Sequence, residues 1–275
     1  MNPVPESLLI IAGRHGYPLM MAKAARAAGV QRIVVIGFKG ETRREIIPFI
    51  DEMHWMRLGH MERFLGRLEA LGLKHCVMVG QIAPGNLFNL RLDKLALTMY
   101  KALGVRNAHT IFGAVVEAIE SKGIEVLAGN SFMECYTPKP GQLSTRGPSE
   151  REWSDIQLGL SVVKGTSKFE IGQTVAIKDG IIIAVEALEG TNQAVKRAGR
   201  VGKAGCVVVK VPKVGHDMRF DIPVVGTKTF QVMKRAKVSC LAVEAGKTIL
   251  LEQEKLIKLA NQYDIAFVAV ETGQV

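Results

Sequence analysis

The sequence predicts an α/β protein with two domains, an N-terminal Rossmann-like parallel α/β domain and a C-terminal mixed α/β domain. In the first half, short apolar runs alternate with helical segments, which is typical of parallel strands joined by crossover helices. In the second half, TVAIKDGIIIAVEA carries Asp179-Gly180 between two apolar runs, a strong hairpin signal. Residues 136–149, YTPKPGQLSTRGPS, are rich in proline and glycine and have no period. We therefore predict domains over residues 1–135 and 150–275 with a linker over 136–149.

The first predicted unit is a strand, a helix and a second strand. SLLIIAG, residues 7–13, is a short apolar run that ends in glycine and predicts a buried strand. Pro18 fits the first turn of the following helix and Gly29 lies just past its end. RIVVIGF, residues 32–38, predicts the next strand. Helices are also expected over 92–103 and 110–122.

The second half contains an equally clear helix start. Ser149 and Glu152 have the spacing of a capping box, so a helix is predicted to begin there. After the hairpin we expect a helix from about Asn192, and then the strand CVVVK. The chain continues with a helix over 228–236, the strand SCLAVE, a short TILL strand, a helix from Glu252 and the strand IAFVAV.

Composition limits the function classes. The chain has 275 residues, 48% of them hydrophobic, and a net charge of +10, which attracts anions. No run of five or six Lys or Arg occurs and only 6% of residues are aromatic, so nucleic acid is not the expected partner. No CxxC, HxH or HExxH motif indicates zinc. No signal peptide is visible and the apolar runs are too short to span a bilayer, so we expect a cytoplasmic protein.

Three segments carry candidate chemistry. In IAGRHGYP, residues 11–18, Gly13 and Gly16 lie at a strand-to-helix turn. Such a turn either holds a phosphate on free amides or is an ordinary tight βα connection, and the spacing alone does not choose between these. The pattern is not GxGxxG, and no acidic residue ends the second strand to bind a ribose.

The second segment is VEALEGTNQAVKR, residues 185–197. A strand ends near Glu186 and Glu189, and Gly190-Thr191 opens a helix with Thr191 as a suitable N-cap. Two carboxylates beside a helix start fit a divalent cation that bridges them to phosphate oxygens, as Mg²⁺ does. The alternative is an acidic pair at a strand edge and an ordinary capped helix.

The third segment is KVPKVGHDMRFDIPVVG, residues 210–226. Pro223 favours extended backbone before it, so Asp221 is expected in an extended stretch. Asp221 could supply an oxygen ligand to a metal, and Lys210 and Lys213 could neutralise phosphate. The alternative is a structural aspartate that binds backbone amides or pairs with Arg219 or Lys213.

Together these segments resemble the magnesium-dependent UDP-2,3-diacylglucosamine pyrophosphatase family of lipid A synthesis. The resemblance rests on IAG with the following proline, on AVEALEGTNQAVKR and on KVPKVGHDMRFDIPVVGTKT, and it covers essentially the whole chain. It implies two α/β domains that hold a glycolipid, and hydrolysis of UDP-2,3-diacylglucosamine to UMP and 2,3-diacylglucosamine 1-phosphate. Asp221 matches the aspartate regarded as essential in that family. The chain departs from its relatives at Arg14-His15-Gly16-Tyr17, where they often carry small residues.

We therefore predict a diphosphatase that uses Mg²⁺ or Mn²⁺. Its partner is a UDP-linked diacylated glucosamine; a peripheral contact with the inner membrane and a homodimer stay open. The alternatives are a diphosphatase for another nucleotide-sugar and a regulator that binds a phosphorylated ligand without turnover. The predicted residues are, for catalysis, Asp221, Lys210 and Lys213; for substrate, Gly13, Arg14, Gly80, Gln81, Gly190, Thr191 and Asn192; and for metal, Asp221, Glu186 and Glu189.

Overall fold

The chain folds into two compact units. A computed structural model describes residues 4–82 and 91–272. The first unit comprises Met1–Met133 and Asp217–Asp221, and the second comprises Glu134–His216 and Ile222–Val275. The chain therefore passes from one unit to the other three times.

The first unit is built on a five-stranded parallel sheet in the order β3-β2-β1-β4-β5. This arrangement confirms the predicted Rossmann-like parallel domain. Its described strands are β1 (Ser7–Ala12), β2 (Arg32–Phe38), β3 (Glu52–Met56), β4 (His75–Val79) and β5 (Glu125–Leu127). Its described helices are α1 (Tyr17–Ala28), α2 (Met61–Leu71), α3 (Lys94–Ala102) and α4 (Ala108–Glu120), with a 3-10 helix over Arg44–Phe49.

The first βαβ unit forms as its sequence predicts. β1 and β2 are buried along nearly their whole length, which explains why they are continuous apolar runs. Pro18 lies in the first turn of α1, where its missing N–H costs nothing. Gly29 ends the helix with a left-handed φ of 107°, and its N–H donates to the carbonyls of Ala25 and Arg26.

The second unit has a six-stranded mixed sheet in the order β6-β13-β11-β9-β7-β8. Strands β9, β11 and β13 are parallel, whereas β6 and β7 run antiparallel to their neighbours. The strands are β6 (Gly141–Gln142), β7 (Thr174–Lys178), β8 (Ile181–Val185), β9 (Val207–Lys210), β11 (Cys240–Glu244) and β13 (Ala266–Val270). A separate parallel pair is formed by β10 (Val224–Val225) and β12 (Ile249–Leu250). The helices are α5 (Glu150–Thr166), α6 (Thr191–Gly202), α7 (Thr227–Arg235) and α8 (Gln253–Gln262).

Two local predictions for this unit are confirmed. β7 and β8 form an antiparallel hairpin whose turn residues, Asp179 and Gly180, have φ values of 52° and 77°. Positive φ at both turn residues matches the twist of the strands. The Ser149–Glu152 capping box is complete, because each side chain accepts a hydrogen bond from the other residue's backbone N–H.

The segment predicted as a linker, residues 136–149, is structured. Gly141 and Gln142 form β6, which pairs with β13 at the sheet edge. Ser144 is buried and its hydroxyl accepts a hydrogen bond from the Phe267 N–H at 2.7 Å. The proline and glycine content therefore marks irregular backbone within the second unit and not a free connection.

The position of Asp221 also differs from the prediction that the C-terminal domain carries it. The segment Asp217–Asp221 groups with the first unit, because its side chains pack against α4. Arg219 forms an ion pair with Glu120 at 2.9 Å, and the ring of Phe220 lies 6.0 Å from the ring of Phe112. These contacts are long-range, so no local sequence pattern indicates them.

Candidate functional site

The carboxyl edge of the first sheet has a switch point between β1 and β4. There the strand order reverses direction, and open α/β sheets bind ligands in the crevice at such a point. Gly13 follows β1 and Gly80 follows β4. A Cβ added to Gly13 would lie 2.6 Å from the Gly80 carbonyl oxygen, so the two turns can approach only with glycine at position 13. The structure thus brings these two predicted residues together.

Arg14 lies at the same point. Its N–H donates to the Gln81 carbonyl at 2.7 Å, which forms an isolated β-bridge. Its Nε lies 3.0 Å from the carboxylate of Glu41. The next residue, His15, takes a left-handed φ of 70°, an uncommon conformation outside glycine that often marks functional turns. Arg14 and Gln81, both predicted to bind substrate, are therefore joined at the switch point, whereas Glu41 was not among the predicted residues.

One feature of the sequence could have indicated Glu41 as a candidate site residue. It is an acidic residue three positions after the end of a buried strand, on the loop that closes the first βαβ unit. The last position of that strand is Phe38, so the acid that dinucleotide-binding folds carry near this strand end is displaced into the loop. The structure places the side chain of Glu41 close to β1, which is the neighbour of β2 in the sheet.

Asp221 lies at the carboxyl edge of the first sheet as well. The N–H of Gly129, just beyond β5, donates to the Met218 carbonyl at 2.7 Å, and the Tyr17 hydroxyl donates to the Gly129 carbonyl at 2.7 Å. The N–H of Asp221 donates to the Asp217 carbonyl at 3.1 Å. Asp221 therefore closes a turn and stands immediately before the irregular stretch Ile222-Pro223.

The turn that carries Asp221 is fixed by an arginine. The guanidinium of Arg219 forms hydrogen bonds with both carboxylate oxygens of Asp217, at 2.8–3.2 Å, and also contacts Glu120. The side-chain hydrogen bond from Arg219 is the main cause that lowers the pKa of Asp217. Asp217 is thus ionised and structural, and it lies four positions before the residue that we predict to be catalytic.

In the second unit, predicted residues converge on the hydroxyl of Thr191. Lys210 Nζ donates to Thr191 Oγ1 at 2.8 Å, and that hydroxyl lies 3.1 Å from each carboxylate oxygen of Glu186. Thr174 Oγ1 lies 3.2 Å away. Glu186 follows β8 and Lys210 ends β9. These two strands flank the antiparallel β7, so their carboxyl ends lie at the same edge of the sheet and bring together residues that are distant in sequence.

The prediction that Thr191 is an N-cap is wrong. The N-cap of α6 is Gly190, with φ 79° and ψ 161°, and Thr191 is the first helical residue. A left-handed N-cap favours glycine, which explains the Gly-Thr pair. The threonine hydroxyl is consequently used by Glu186 and Lys210 and not by the helix amides.

Asn192, the second residue of α6, offers an acceptor. Its side-chain oxygen is buried and finds no hydrogen-bond donor among the residues that the structure describes. Buried acceptors of this kind are uncommon, because losing water without a replacement is costly. This supports the prediction that Asn192 contacts a ligand beside the first turn of α6.

Two predicted residues are engaged elsewhere. Glu189 forms an ion pair with Arg197 at 2.6 Å; burial opposes its ionisation, but the hydrogen bond from Arg197 outweighs burial and lowers the pKa of Glu189. Lys213 forms an ion pair with Glu170 at 2.6 Å. The hydrogen bonds of the Thr191 hydroxyl described above are made with Glu186 and Lys210, whereas Glu189 and Lys213 form these ion pairs.

The predicted metal ligands are not assembled into a protein-only cage. Within residues 4–82 and 91–272, no group of three or more His, Cys, Asp or Glu side chains is placed to hold a metal ion. Mg²⁺ is commonly held by one or two carboxylates together with substrate phosphates and water. Among the three predicted carboxylates, Glu189 fits that arrangement least well, because it already pairs with Arg197.

A further charged group at the carboxyl edge of the second sheet was missed. Glu244, the last residue of β11, is 2% exposed and contacts Lys164 at 3.1 Å and Lys247 at 2.5 Å. Burial opposes its ionisation, but hydrogen bonds, that of Lys247 first, lower the pKa of Glu244. The available signal was an acidic residue that ends the apolar run SCLAVE beside β9.

These features define a two-unit α/β protein with charged residues at the carboxyl edges of both sheets. The LpxI N-terminal domain model matches residues 7–136 and the LpxI C-terminal domain model matches residues 139–268. The chain is similar to UDP-2,3-diacylglucosamine pyrophosphatase LpxI of Caulobacter vibrioides, with 24% identity over 279 residues that cover 97% of this chain and 98% of that protein. The chain belongs to the LpxI family. None of its helices in the described ranges is long and apolar enough to cross a membrane.

Proposed function

We propose that this protein hydrolyses the diphosphate of UDP-2,3-diacylglucosamine and releases UMP and 2,3-diacylglucosamine 1-phosphate in lipid A biosynthesis. Family membership and the name of the Caulobacter relative support this proposal. The observation that carries it is the link between Thr191 and Lys210, separated by 19 positions in sequence and joined at 2.8 Å. It joins a helix start to a cation, the combination that binds phosphate.

In the proposed reaction, a water oxygen forms a bond to one phosphorus and the bond from that phosphorus to the bridging oxygen breaks. The bridging oxygen leaves as part of the other phosphate, and the proton of the water goes to a base or to solvent. Negative charge spreads over the phosphate oxygens during this exchange. Lys210 stabilises that charge, and the first turn of α6 contributes backbone N–H groups and the positive end of its dipole.

Thr191 and Glu186 have supporting roles in this proposal. The hydroxyl accepts a hydrogen bond from Lys210 and donates to Glu186, so it holds the lysine near the start of α6. Preorganised charges act without reorganising during the reaction, and this makes their position important. Asp221 orients the attacking water or holds the metal, and these two roles stay open.

Mg²⁺ or Mn²⁺ would be held by Asp221 together with phosphate oxygens. When bound, such an ion neutralises phosphate charge and polarises the phosphorus–oxygen bonds. A carboxylate site without a His or Cys cluster suits a hard cation of this kind. Chelation of divalent cations is expected to stop turnover, whereas full activity in metal-free buffer with excess chelator would exclude this role.

Purified protein incubated with UDP-2,3-diacylglucosamine tests the proposal. We expect release of UMP and the monophosphorylated lipid, and a much slower reaction with unacylated UDP-glucosamine. Equal rates would support the alternative of a diphosphatase for another nucleotide-sugar. Binding of both compounds without any product would support a regulator. Product analysis in oxygen-18 water identifies the phosphorus that is attacked.

The link between Thr191 and Lys210 is tested by Lys210→Gln. This change is expected to lower kcat/KM by roughly 100-fold, because a positioned charge is lost from the site. Lys196→Gln removes the same charge from an exposed position of α6 and is expected to leave kcat/KM within about twofold. Equal effects of the two changes would mean that Lys210 acts only through overall charge.

A further inference from the structure

The pair formed by Arg14 and Glu41 joins a buried carboxylate to a partly exposed guanidinium. The side chain of Glu41 is 1% exposed, whereas that of Arg14 is 41% exposed. A buried carboxylate is costly unless a cation and hydrogen bonds compensate it. Most surface arginines pair with carboxylates that remain in contact with water. The carboxylate of Glu41, in contrast, is shielded from water beside Arg14.

The loop that carries Glu41 is fixed to two strands. The Phe38 N–H donates to the Thr42 hydroxyl at 2.8 Å, and that hydroxyl donates in turn to the Ala12 carbonyl. Ala12 is the last residue of β1 and Phe38 is the last residue of β2. Glu41 is therefore held at the carboxyl edge of the sheet, next to the strand from which Arg14 emerges.

Arg14 is fixed at both ends. Its backbone N–H is bound to Gln81 across the switch point, and its Nε is bound to Glu41. A guanidinium has five N–H donors, and its remaining edge is suited to two oxygens of a phosphate. Because the side chain is still 41% exposed, that edge can reach a ligand without breaking the contact with Glu41.

A ribose-binding role for Glu41 fits less well. In dinucleotide-binding folds an acidic residue near the end of the second strand accepts hydrogen bonds from ribose hydroxyls, and it must be open to the ligand. The carboxylate of Glu41 is covered, and one of its oxygens already contacts Arg14. The burial of the Glu41 carboxylate and its contact with Arg14 therefore favour a role in orienting the arginine over direct binding of a sugar.

We propose that Arg14 binds phosphate oxygens of a diphosphate ligand at the switch point of the first sheet, and that Glu41 is the positioning residue for Arg14. This inference deepens the proposed function, on which it rests for the identity of the natural ligand. It assigns a specific use to Arg14, whose guanidinium is partly exposed at the switch point. It also assigns a role to Glu41, which was not among the residues predicted from the sequence.

Glu41→Gln separates positioning from overall charge by the sign of its effect. The change removes a negative charge close to the ligand, so charge alone would strengthen binding of an anion. If Glu41 positions Arg14, the change weakens binding, because an amide holds a guanidinium less firmly than a carboxylate does. The size of the side chain is nearly unchanged, so packing is kept.

Isothermal titration calorimetry of the whole chain with inorganic pyrophosphate tests the proposal, in buffers with and without millimolar Mg²⁺. We expect Arg14→Gln to raise Kd by at least about tenfold and Glu41→Gln by about fivefold. Arg14→Lys keeps the charge but loses the planar fork, and it is expected to bind nearly as weakly as Arg14→Gln.

Arg26→Gln is the matched control. Arg26 also belongs to the first unit, is also 41% exposed and also pairs with a carboxylate, that of Asp51. Asp51 accepts a hydrogen bond from Ile33 near the beginning of β2, so this pair lies at the amino edge of the sheet. The control loses the same charge far from the switch point and is expected to keep Kd within about twofold.

The outcomes separate the parts of the proposal. Unchanged Kd in Arg14→Gln, or no binding by the wild type in either buffer, would overturn the anion site. Equal or tighter binding by Glu41→Gln would overturn the positioning role. If Glu41→Gln does not fold, Arg14→Lys decides, because it leaves Glu41 with a cation. Pyrophosphate binding that depends on Arg14, in a protein that does not release UMP, would support this site while contradicting the proposed function.

Discussion

At the scale of single residues, the hydroxyl of Thr191 is the most informative group in the second unit. One oxygen atom accepts from Lys210 and donates toward Glu186, so it joins a cation to an anion in a partly buried place. A hydrogen bond to a charged group contributes about 1.5–3 kcal/mol, more than an ordinary helix cap. Replacement of this hydroxyl also leaves Lys210 and Glu186 without the group that joins them, so we expect an effect on function as well as on folding.

Thr191→Val removes the hydroxyl and keeps the shape. We expect kcat/KM to fall by roughly 10- to 100-fold, which corresponds to one lost charged hydrogen bond. The melting temperature should change by only a few degrees, because Gly190 and not Thr191 caps the helix. Thr191→Ser restores a hydroxyl and should recover most activity. Normal kinetics in Thr191→Val together with a clear loss of stability would reduce Thr191 to a structural role.

The pH dependence of stability is predicted from Glu152. This carboxylate is 2% exposed and binds Arg146 and the Ser149 N–H; burial opposes its ionisation, but these partners lower the pKa of Glu152 from 4.5 to about 2. Because the pKa is lower in the folded state, Glu152 stabilises the fold above about pH 4.5, and this contribution is lost as the pH falls toward 2. Its size is roughly 3 kcal/mol.

Glu152→Gln tests this directly. Urea unfolding should show a less stable variant at pH 7, and the difference in unfolding free energy between wild type and variant should shrink as the pH is lowered from about 4.5. Glu150→Gln, at an exposed position of the same helix turn, serves as the control and should show little pH-dependent difference. A constant difference between wild type and Glu152→Gln across that range would contradict the low pKa.

At the scale of elements, the short turn Asp217–Asp221 depends on α4. Phe220 packs against His109 and Phe112, at ring distances of 5.5 and 6.0 Å, and Arg219 binds Glu120. No regular element contains this turn, so its position rests on these side chains. The position of Asp221 therefore depends on contacts made by its neighbours.

Phe220→Ala should lower both stability and turnover. Loss of a partly buried aromatic side chain is expected to cost about 1–3 kcal/mol, and the misplaced Asp221 should lower kcat by more than it raises KM. Phe169→Ala removes the same ring from an exposed position and should have little effect on either. Thermal melts and steady-state kinetics on both variants check this. Unchanged kcat in a destabilised Phe220→Ala would show that Asp221 does not need this support.

Local sequence signals predicted elements well and predicted tertiary placement poorly. The Asp179-Gly180 hairpin and the Ser149–Glu152 capping box follow from backbone rules that act over four residues, and both are present. Thr191 was misread as a cap, because its partner Lys210 lies on another strand. The grouping of Asp217–Asp221 with the first unit likewise rests on side chains about 100 positions earlier, which no local pattern reveals.

At the scale of the whole molecule, the predicted residues are distributed over both units. Arg14 and Asp221 belong to the first unit, and Glu186, Thr191 and Lys210 belong to the second. The chain as a whole carries a net charge of +10. A positive protein raises the local concentration of anions, an effect that salt screens beyond roughly 10 Å at 0.1 M ionic strength.

This charge predicts a salt dependence of substrate capture. Raising KCl from about 50 to 300 mM should increase KM for the anionic substrate several-fold and change kcat much less, because long-range attraction is screened while contacts in the site persist. Assays at constant detergent concentration, with sucrose as a control for viscosity, measure the effect. A KM that is independent of salt would show that the net charge has no part in substrate capture.

Turnover by an Asp221→Asn variant tests the central claim most directly. Asp217→Asn is the matched control, since it changes a carboxylate of the same turn that is already bound to Arg219. We predict that Asp221→Asn lowers kcat by about 1000-fold or more while the protein remains folded and still binds UDP-2,3-diacylglucosamine, and that Asp217→Asn mainly lowers stability. Near-native kcat in a folded Asp221→Asn variant would remove Asp221 from the reaction and contradict the proposed mechanism.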